Sequence, residues 1–254
     1  MPRPSLLLTN DDGIHAKGLS ILAEVLETIA EVYVYAPDRE QSAVGHCVSL
    51  KKPLRVKKYN QDKPNWYMVD GTPTDCVMLA VRQLIGNKPA MVISGINAGA
   101  NLGDDVTYSG TVAGAFEGML LGIPSFSISI VSPEPQHYES AGIFAVKLAR
   151  YILKYGLPKD TMLNVNVPDL PYSELKGVAI TKMGRRNYQD EIIQREDPRG
   201  EVYYWIGGPQ PTHYPEPGTD FDAIEQNMIS VTPLKRDLTN YEAFSYFTDP
   251  RIEL

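Results

Sequence analysis

The run Ser5-Leu6-Leu7-Leu8-Thr9-Asn10-Asp11-Asp12-Gly13-Ile14 decides how the rest of the chain is read. Three consecutive leucines show no polar–apolar alternation, which suits a strand buried on both faces of a parallel sheet. The apolar run stops at an amide, two adjacent carboxylates and a glycine. In open sheets of this kind, ligands collect at the carboxyl ends of the strands. Asp11 and Asp12 are therefore expected at such an end, with Gly13 free to turn the backbone sharply. Adjacent carboxylates repel, and crowding them costs free energy unless a proton or a cation intervenes. A hard divalent cation suits such oxygen donors. A solvated Asp-Asp-Gly turn accounts for the same residues, and this stretch alone leaves both readings open.

Outward from Gly13, the segment Lys17–Ala30 carries Leu19, Leu22, Ala23, Leu26 and Ile29 at helical spacing. Glu31–Ala36 reads as a second strand ended by Pro37, completing one strand–helix–strand unit whose crossover is right-handed. The loop from Pro37 to His46 leaves a strand end and contains Ser42, an oxygen ligand or an ordinary loop serine, and His46, an acid–base candidate or a structural histidine. Val48–Tyr59 reads as an exposed strand pair and Asn60–Asn65 as a turn. Asp70-Gly71-Thr72-Pro73 looks like a helix start, with Thr72 as cap and Pro73 at the first helical position. Val77 to Ile85 carry that helix and Gly86 ends it.

Met91–Ser94 is the next buried strand. It opens into Gly95-Ile96-Asn97-Ala98-Gly99-Ala100-Asn101-Leu102-Gly103, where three glycines are interleaved with two asparagines. Such a loop folds tightly around something small. Asn97 and Asn101 offer carbonyl oxygens to a hard metal and amide protons to a phosphate. A helix then begins near Ser109, within Tyr108-Ser109-Gly110-Thr111-Val112. Its free amides, hydroxyls and positive dipole end make an anion site, although Ser109 or Thr111 as a plain cap fits the helix equally. Pro124–Ile130, His137–Tyr155 and Met162–Val167 continue the alternation as strand, helix and strand. Residues 1–170 are thus expected to form a Rossmann-like, doubly wound, mostly parallel α/β core.

Residues 171–254 change character and read as an extension of the same domain. Val178–Lys182 and Val202–Ile206 look like strands joined by the charged, irregular run 185–200, and 207–218 holds four prolines. A hairpin-like projection that cannot bury itself is often an oligomerisation arm or a lid. Tyr188, Tyr203, Tyr204 and Trp205 suit a partner surface, base stacking or core packing. Ile229–Leu234 reads as a final strand.

Bulk properties limit the function classes. With 254 residues, 43% of them hydrophobic, the chain can bury a sizeable core. A net charge of −7 opposes wrapping a nucleic acid polymer but permits a small phosphorylated ligand. Two cysteines without CxxC spacing fit a reducing cytosol and disfavour structural zinc. Neither a signal peptide nor a membrane span is expected, so the reading is a cytoplasmic protein.

The four loops carry Asp11 and Asp12, Ser42, Asn97 with Asn101, and Ser109-Gly110-Thr111. Anionic and neutral oxygen donors beside a helix start suit Mg²⁺ or Mn²⁺ and phosphoryl chemistry. Asn10-Asp11-Asp12-Gly13, Ala36-Pro37 with Ser42, Ser94-Gly95-Ile96-Asn97-Ala98-Gly99-Ala100-Asn101 and Tyr108-Ser109-Gly110-Thr111-Val112 resemble the motifs of the SurE family. The similarity extends to Gly218-Thr219-Asp220 and Thr232-Pro233-Leu234. These are metal-dependent phosphatases of nucleoside monophosphates. The resemblance implies that Asp11, Asp12, Ser42 and Asn97 bind one divalent metal ion. It also implies activity on 5'- and 3'-nucleotides, in some members on short polyphosphate, and a homodimer or homotetramer built with the C-terminal arm.

The mechanism expected is metal-assisted attack of water on a phosphomonoester. Asp11 and Asp12 serve as catalytic ligands or one of them as base, while Asn101, Ser109, Thr111 and the Gly110 amide hold phosphate oxygens. An aspartyl-phosphate enzyme usually separates its two aspartates by one residue, unlike the adjacent pair here. A phospho-receiver module needs an acceptor aspartate after its third strand, where this chain has Ser94 and Asn97. A silent nucleotide-binding module is the remaining alternative.

Overall fold

The structure, a computed structural model, describes residues 3–188, 191–207 and 212–247. In chain order the first elements are β1 (Ser5–Thr9), α1 (Lys17–Leu26), β2 (Glu31–Pro37), β3 (Val56–Asn60), β4 (Lys63–Val69) and α2 (Pro73–Leu79). There follow β5 (Met91–Ala98), α3 (Gly110–Leu120), β6 (Ser125–Val131), α4 (Tyr138–Tyr155) and β7 (Thr161–Pro168). The last third holds β8 (Val178–Ile180), β9 (Arg186–Asn187), β10 (Glu191–Glu196), β11 (Val202–Gly207) and β12 (Thr212–His213). It closes with α5 (Asp220–Glu225), β13 (Ile229–Lys235) and α6 (Phe244–Phe247).

Among the described residues nine strands make one sheet in the order β3-β4-β2-β1-β5-β6-β7-β13-β8. The six from β4 to β7 run parallel, and β3 and β13 are antiparallel to their inner neighbours. Successive leucines of β1 serve opposite faces. Leu6 and Leu8 pack with α1 and α4, whereas Leu7 packs with Val77 and Ala80 at α2. Each such buried leucine stabilises the fold by about 1.5–3 kcal/mol. The Rossmann-like, doubly wound α/β expectation is borne out, with β13 and β8 from the last third completing the sheet.

Local expectations need correction in four places, and one further helix was not expected. The helix after Gly13 stops at Leu26 rather than Ala30, because the Thr28 hydroxyl donates to Val25 O at 2.5 Å and competes with the next helical bond. Val48–Tyr59 is not a strand pair. Only Val56 onward is extended, and its partner is β4, which starts within the expected turn. β5 continues to Ala98, past the expected loop start at Gly95, by bulging between Gly95 and Asn97. Val178–Lys182 and Val202–Ile206 are not partners, since β8 joins the large sheet while β11 pairs with β10 inside the run expected to be irregular. The helix α5 follows Gly218, capped by Thr219.

The arm leaves and returns through one clasp. Lys182 N donates to Gly218 O at 3.1 Å and Asp220 N donates to Lys182 O at 3.0 Å. Residues 189–190 of the charged run and 208–211 of the proline-rich run lie outside the described residues. Among the described residues no helix is long and apolar enough to cross a membrane.

Candidate active site

The sheet creates a crevice where its strand order reverses. From β1 the chain moves to β2 on one side and later enters β5 on the other, so the β1–β5 boundary is the topological switch point of an open α/β sheet. Asp11 and Asp12 leave β1 there and Asn97 lies in the last turns of β5. The loop after β2 is tied to the same place, with Ile14 N donating to Pro37 O at 2.8 Å and Gln41 N to Asp11 O at 2.7 Å. Gly13 makes the exit with φ +93°, a conformation that L side chains rarely adopt.

The two carboxylates have different surroundings. Asp11 is only 5% exposed, and its Oδ1 accepts from the Thr111 hydroxyl. Burial pushes its pKa upward, opposed by the Thr111 hydroxyl and by the Asp11 and Thr111 amides. Asp12 is half-buried, and its Oδ2 accepts from Ala98 N–H at 3.3 Å. Burial first, then the Asp11 charge, raise it to about 6. Glu40 adds negative potential to both.

The remaining site candidates divide. Ser42 is exposed and donates to Glu40 Oε1 at 2.6 Å. Asn97 donates to Gly99 O at 2.8 Å, next to the Ala98 amide that meets Asp12. Asn101 is buried and donates to Ser129 Oγ at 2.8 Å. Ser109 caps α3 by accepting from Val112 N–H at 3.0 Å. A Cβ on Gly110 would stand 2.9 Å from Asp11 Cβ and 3.0 Å from Asp11 Oδ2, so the helix start presses against the carboxylate. Thr111 is fully buried and turned to Asp11. His46 lies beside α3, with Nε2 3.0 Å from Glu117 Oε2, and lines one cavity with Ser109. Glu117 lies about 10 Å along α3 from Gly110 at 1.5 Å per residue.

Several supporting residues were missed. The Asn101 carbonyl accepts from Asn164 Nδ2 at 2.8 Å and Asn166 Nδ2 at 2.9 Å, while Asn101 N donates to Asn166 Oδ1 at 2.9 Å. Asn-x-Asn inside an apolar strand was the available signal, since buried amides need partners. Asp220 is fully buried and accepts from Gly103 N at 2.7 Å and Gly184 N at 2.8 Å, joining the glycine-rich loop to the base of the arm. Burial pushes this carboxyl up although four backbone N–H groups pull it down. Asp105 accepts from Arg186 Nε at 2.7 Å and from Tyr188 OH at 2.7 Å, a second tie between that loop and the arm. Nothing local in the sequence announces either tie.

The fold and site define a class: a doubly wound α/β protein with an acidic pair at its switch point, seated against a helix start. The family model described as "Survival protein SurE" matches residues 6–190. The protein named "5'-nucleotidase SurE" from Geobacter sulfurreducens is 51% identical over 242 residues, 95% of this chain and 91% of its own length. Its namesake from Coxiella burnetii is 48% identical over 243 residues, 96% and 93% of the two chains. The crystal structure of Sure protein from Aquifex aeolicus superposes with a TM-score of 0.84 at 42% identity, covering 97% of this chain and 100% of that one. This chain belongs to the SurE family.

Proposed function

We propose that this chain is a metal-dependent 5'-nucleotidase, hydrolysing nucleoside 5'- and 3'-monophosphates to nucleoside and phosphate, with short polyphosphate as a further substrate. The observation that carries the reading is the Asp11–Asp12 pair at the β1–β5 crevice, in a chain about half identical to proteins named as 5'-nucleotidases.

The donor set suits a hard cation. Two crowded carboxylates are each held above their ordinary pKa, and Asn10 Oδ1 beside them is buried with no hydrogen-bond partner. Both observations favour a positive charge among oxygen donors. Among the described residues no three His, Cys, Asp or Glu side chains cluster as a metal site, so Asp11 and Asp12 would hold one Mg²⁺ or Mn²⁺ together with the neutral oxygens of Ser42 and Asn97. When bound, the ion supplies Lewis-acid compensation of phosphoryl charge and acidifies water.

The protein's own groups divide the remaining work. Asp12, half-buried at the crevice with Oδ2 toward the Ala98 N–H, would accept the proton of an attacking water. The water oxygen bonds to phosphorus as the bond from phosphorus to the ribose oxygen breaks. His46, bonded to Glu117 and lining one cavity with Ser109, is the candidate to protonate the departing oxygen. The Ser109 hydroxyl, which accepts from Val112 and keeps its own proton, the Gly110 amide and the second Nδ2 proton of Asn101, the first being given to Ser129, would donate to phosphoryl oxygens.

The exposed β10–β11 hairpin supports assembly into a homodimer or homotetramer through the arm. A cytoplasmic location accords with the unpaired cysteines Cys47 and Cys76. The deciding experiment is phosphate release from a panel of 5'- and 3'-nucleoside monophosphates and short polyphosphate, with Mg²⁺, Mn²⁺ or EDTA. Release is expected with metal and not with EDTA. Folded protein that releases no phosphate with either metal overturns the reading.

A further inference from the structure

We propose that Thr111 is the positioning residue of Asp11, not a phosphate ligand: its hydroxyl at the start of α3 is taken by the protein's own carboxylate. The inference rests on the metal-dependent reading of the site and assigns one of its residues a different task from the expected one.

The geometry is specific. Thr111 is fully buried, and its hydroxyl donates to Asp11 Oδ1. A hydroxyl has one proton to donate, so none remains for a phosphoryl oxygen. The Thr111 amide also favours the Asp11 carboxylate. An anion at a helix N-terminus is stabilised by the exposed amides and the dipole, and Asp11 is an anion seated there through Thr111.

The sequence explains how α3 comes so close. Gly110, Gly114 and Gly118 recur every four residues and form one helix face. A Cβ on Gly114 would stand 2.8 Å from Thr9 Cγ2 and 2.9 Å from Ser94 Oγ, and one on Gly118 would stand 2.7 Å from Val92 Cβ. A side chain at any of the three positions would lift the helix off β1 and β5. With hydrogen there, the helix seats against the strands and presents Thr111 to Asp11. The carboxylate is thereby fixed in one orientation through Oδ1. Such outer contacts to a metal-binding carboxylate set its affinity for the ion, and losing one typically costs 10–100-fold.

The test measures Mn²⁺ binding by the paramagnetic resonance of free Mn²⁺, and product inhibition by inorganic phosphate at saturating Mn²⁺. The variants are Thr111→Val, which keeps the shape and removes the hydroxyl, and Thr111→Ser, which keeps the hydroxyl. Thr111→Val is expected to weaken Mn²⁺ binding about 10–100-fold, with Thr111→Ser within about threefold of wild type. Inhibition by phosphate should be the same in all three. Wild-type Mn²⁺ affinity in Thr111→Val, or phosphate inhibition weakened in that variant alone, overturns the inference and returns Thr111 to phosphate. Mn²⁺ affinity lost equally in Thr111→Ser also overturns it. Wild-type protein that takes up no Mn²⁺ overturns the metal reading and the inference together.

Discussion

The switch-point crevice and the β10–β11 arm handle polarity in opposite ways. At the crevice, polar groups are buried: Asp11, Thr111 and Asn101 lie within the fold and each has a hydrogen-bond partner. On the arm, apolar groups are exposed, with Trp205 at 64% and Ile206 at 82%. Both arrangements cost free energy in an isolated chain, since buried charge and exposed large apolar surface are each unfavourable. A site that keeps charges out of water is prepared for a charged ligand, whereas a hairpin that keeps an indole in water is prepared for another surface. The contrast teaches that function here is found where the ordinary inside–outside rule is broken.

The largest expected effect comes from breaking the crevice. Asp12→Asn should lower metal-dependent phosphate release by about 10³-fold or more, because it removes a charge that acts on the reacting group. Near-normal turnover by the folded variant would remove Asp12 from the chemistry. The same substitution should show that the pair stores unfavourable energy. The folded state raises the Asp12 pKa from 3.8 to about 6, so it holds the proton more tightly than the unfolded chain does. That contribution to stability is complete below pH 3.8 and is lost as pH rises through 6. Metal-free Asp12→Asn should therefore melt a few °C above wild type at pH 7.5 and level with it near pH 3.5. Parallel melting curves at both pH values would contradict the assignment.

A smaller effect follows from crowding the crevice. In Gly110→Ala, the new methyl meets Asp11 Cβ at 2.9 Å and Gln41 O at 3.2 Å. Displacing the carboxylate by a few tenths of an ångström should cost roughly 10–100-fold in kcat and about 1–3 kcal/mol of stability through overpacking. Unchanged steady-state kinetics would show that α3 does not set the carboxylate position. Asp220→Ala sharpens the comparison from the other side, because Asp220 joins the glycine-rich loop to the arm. Leaving the Gly103 and Gly184 amides without their partner should cost roughly 2–4 kcal/mol in denaturant unfolding. A midpoint shift near zero would mean that the two regions are independent.

The least effect on the fold is expected from polishing the arm. Replacing Trp205 and Ile206 together by Ser should leave monomer stability within about 0.5 kcal/mol, as for other exposed positions. The same change should reduce the mass seen by light scattering. An unaltered assembly would place the contact surface elsewhere.

Legibility in the sequence followed the range of the contacts. The leucines of β1, the Thr72 cap with Pro73, and the Ser109 cap of α3 rest on a few neighbouring residues, and each stands where the sequence places it. β4 was obscured because Pro64 and Asn65 look like turn residues. β2 joins β4 only from Trp66 onward, which leaves room for Pro64 near the strand's start. The site motifs were visible as residue types, but the Thr111–Asp11 bond spans 100 residues and no spacing rule reaches that far. Asp220 shows the same limit. Its motif was noticed, while its partners Gly103 and Gly184 meet it only after the arm has been led back to the sheet.

The clasp at Lys182, Gly218 and Asp220 gives the arm a single doorway. The β10–β11 hairpin lies beyond that closure and beyond the Arg186 and Tyr188 ties to Asp105, so its strands can be exchanged without shifting the register of β8 against β13. For an engineer, it marks a graft point: a foreign hairpin in place of β10–β11 inherits a ready-made closure.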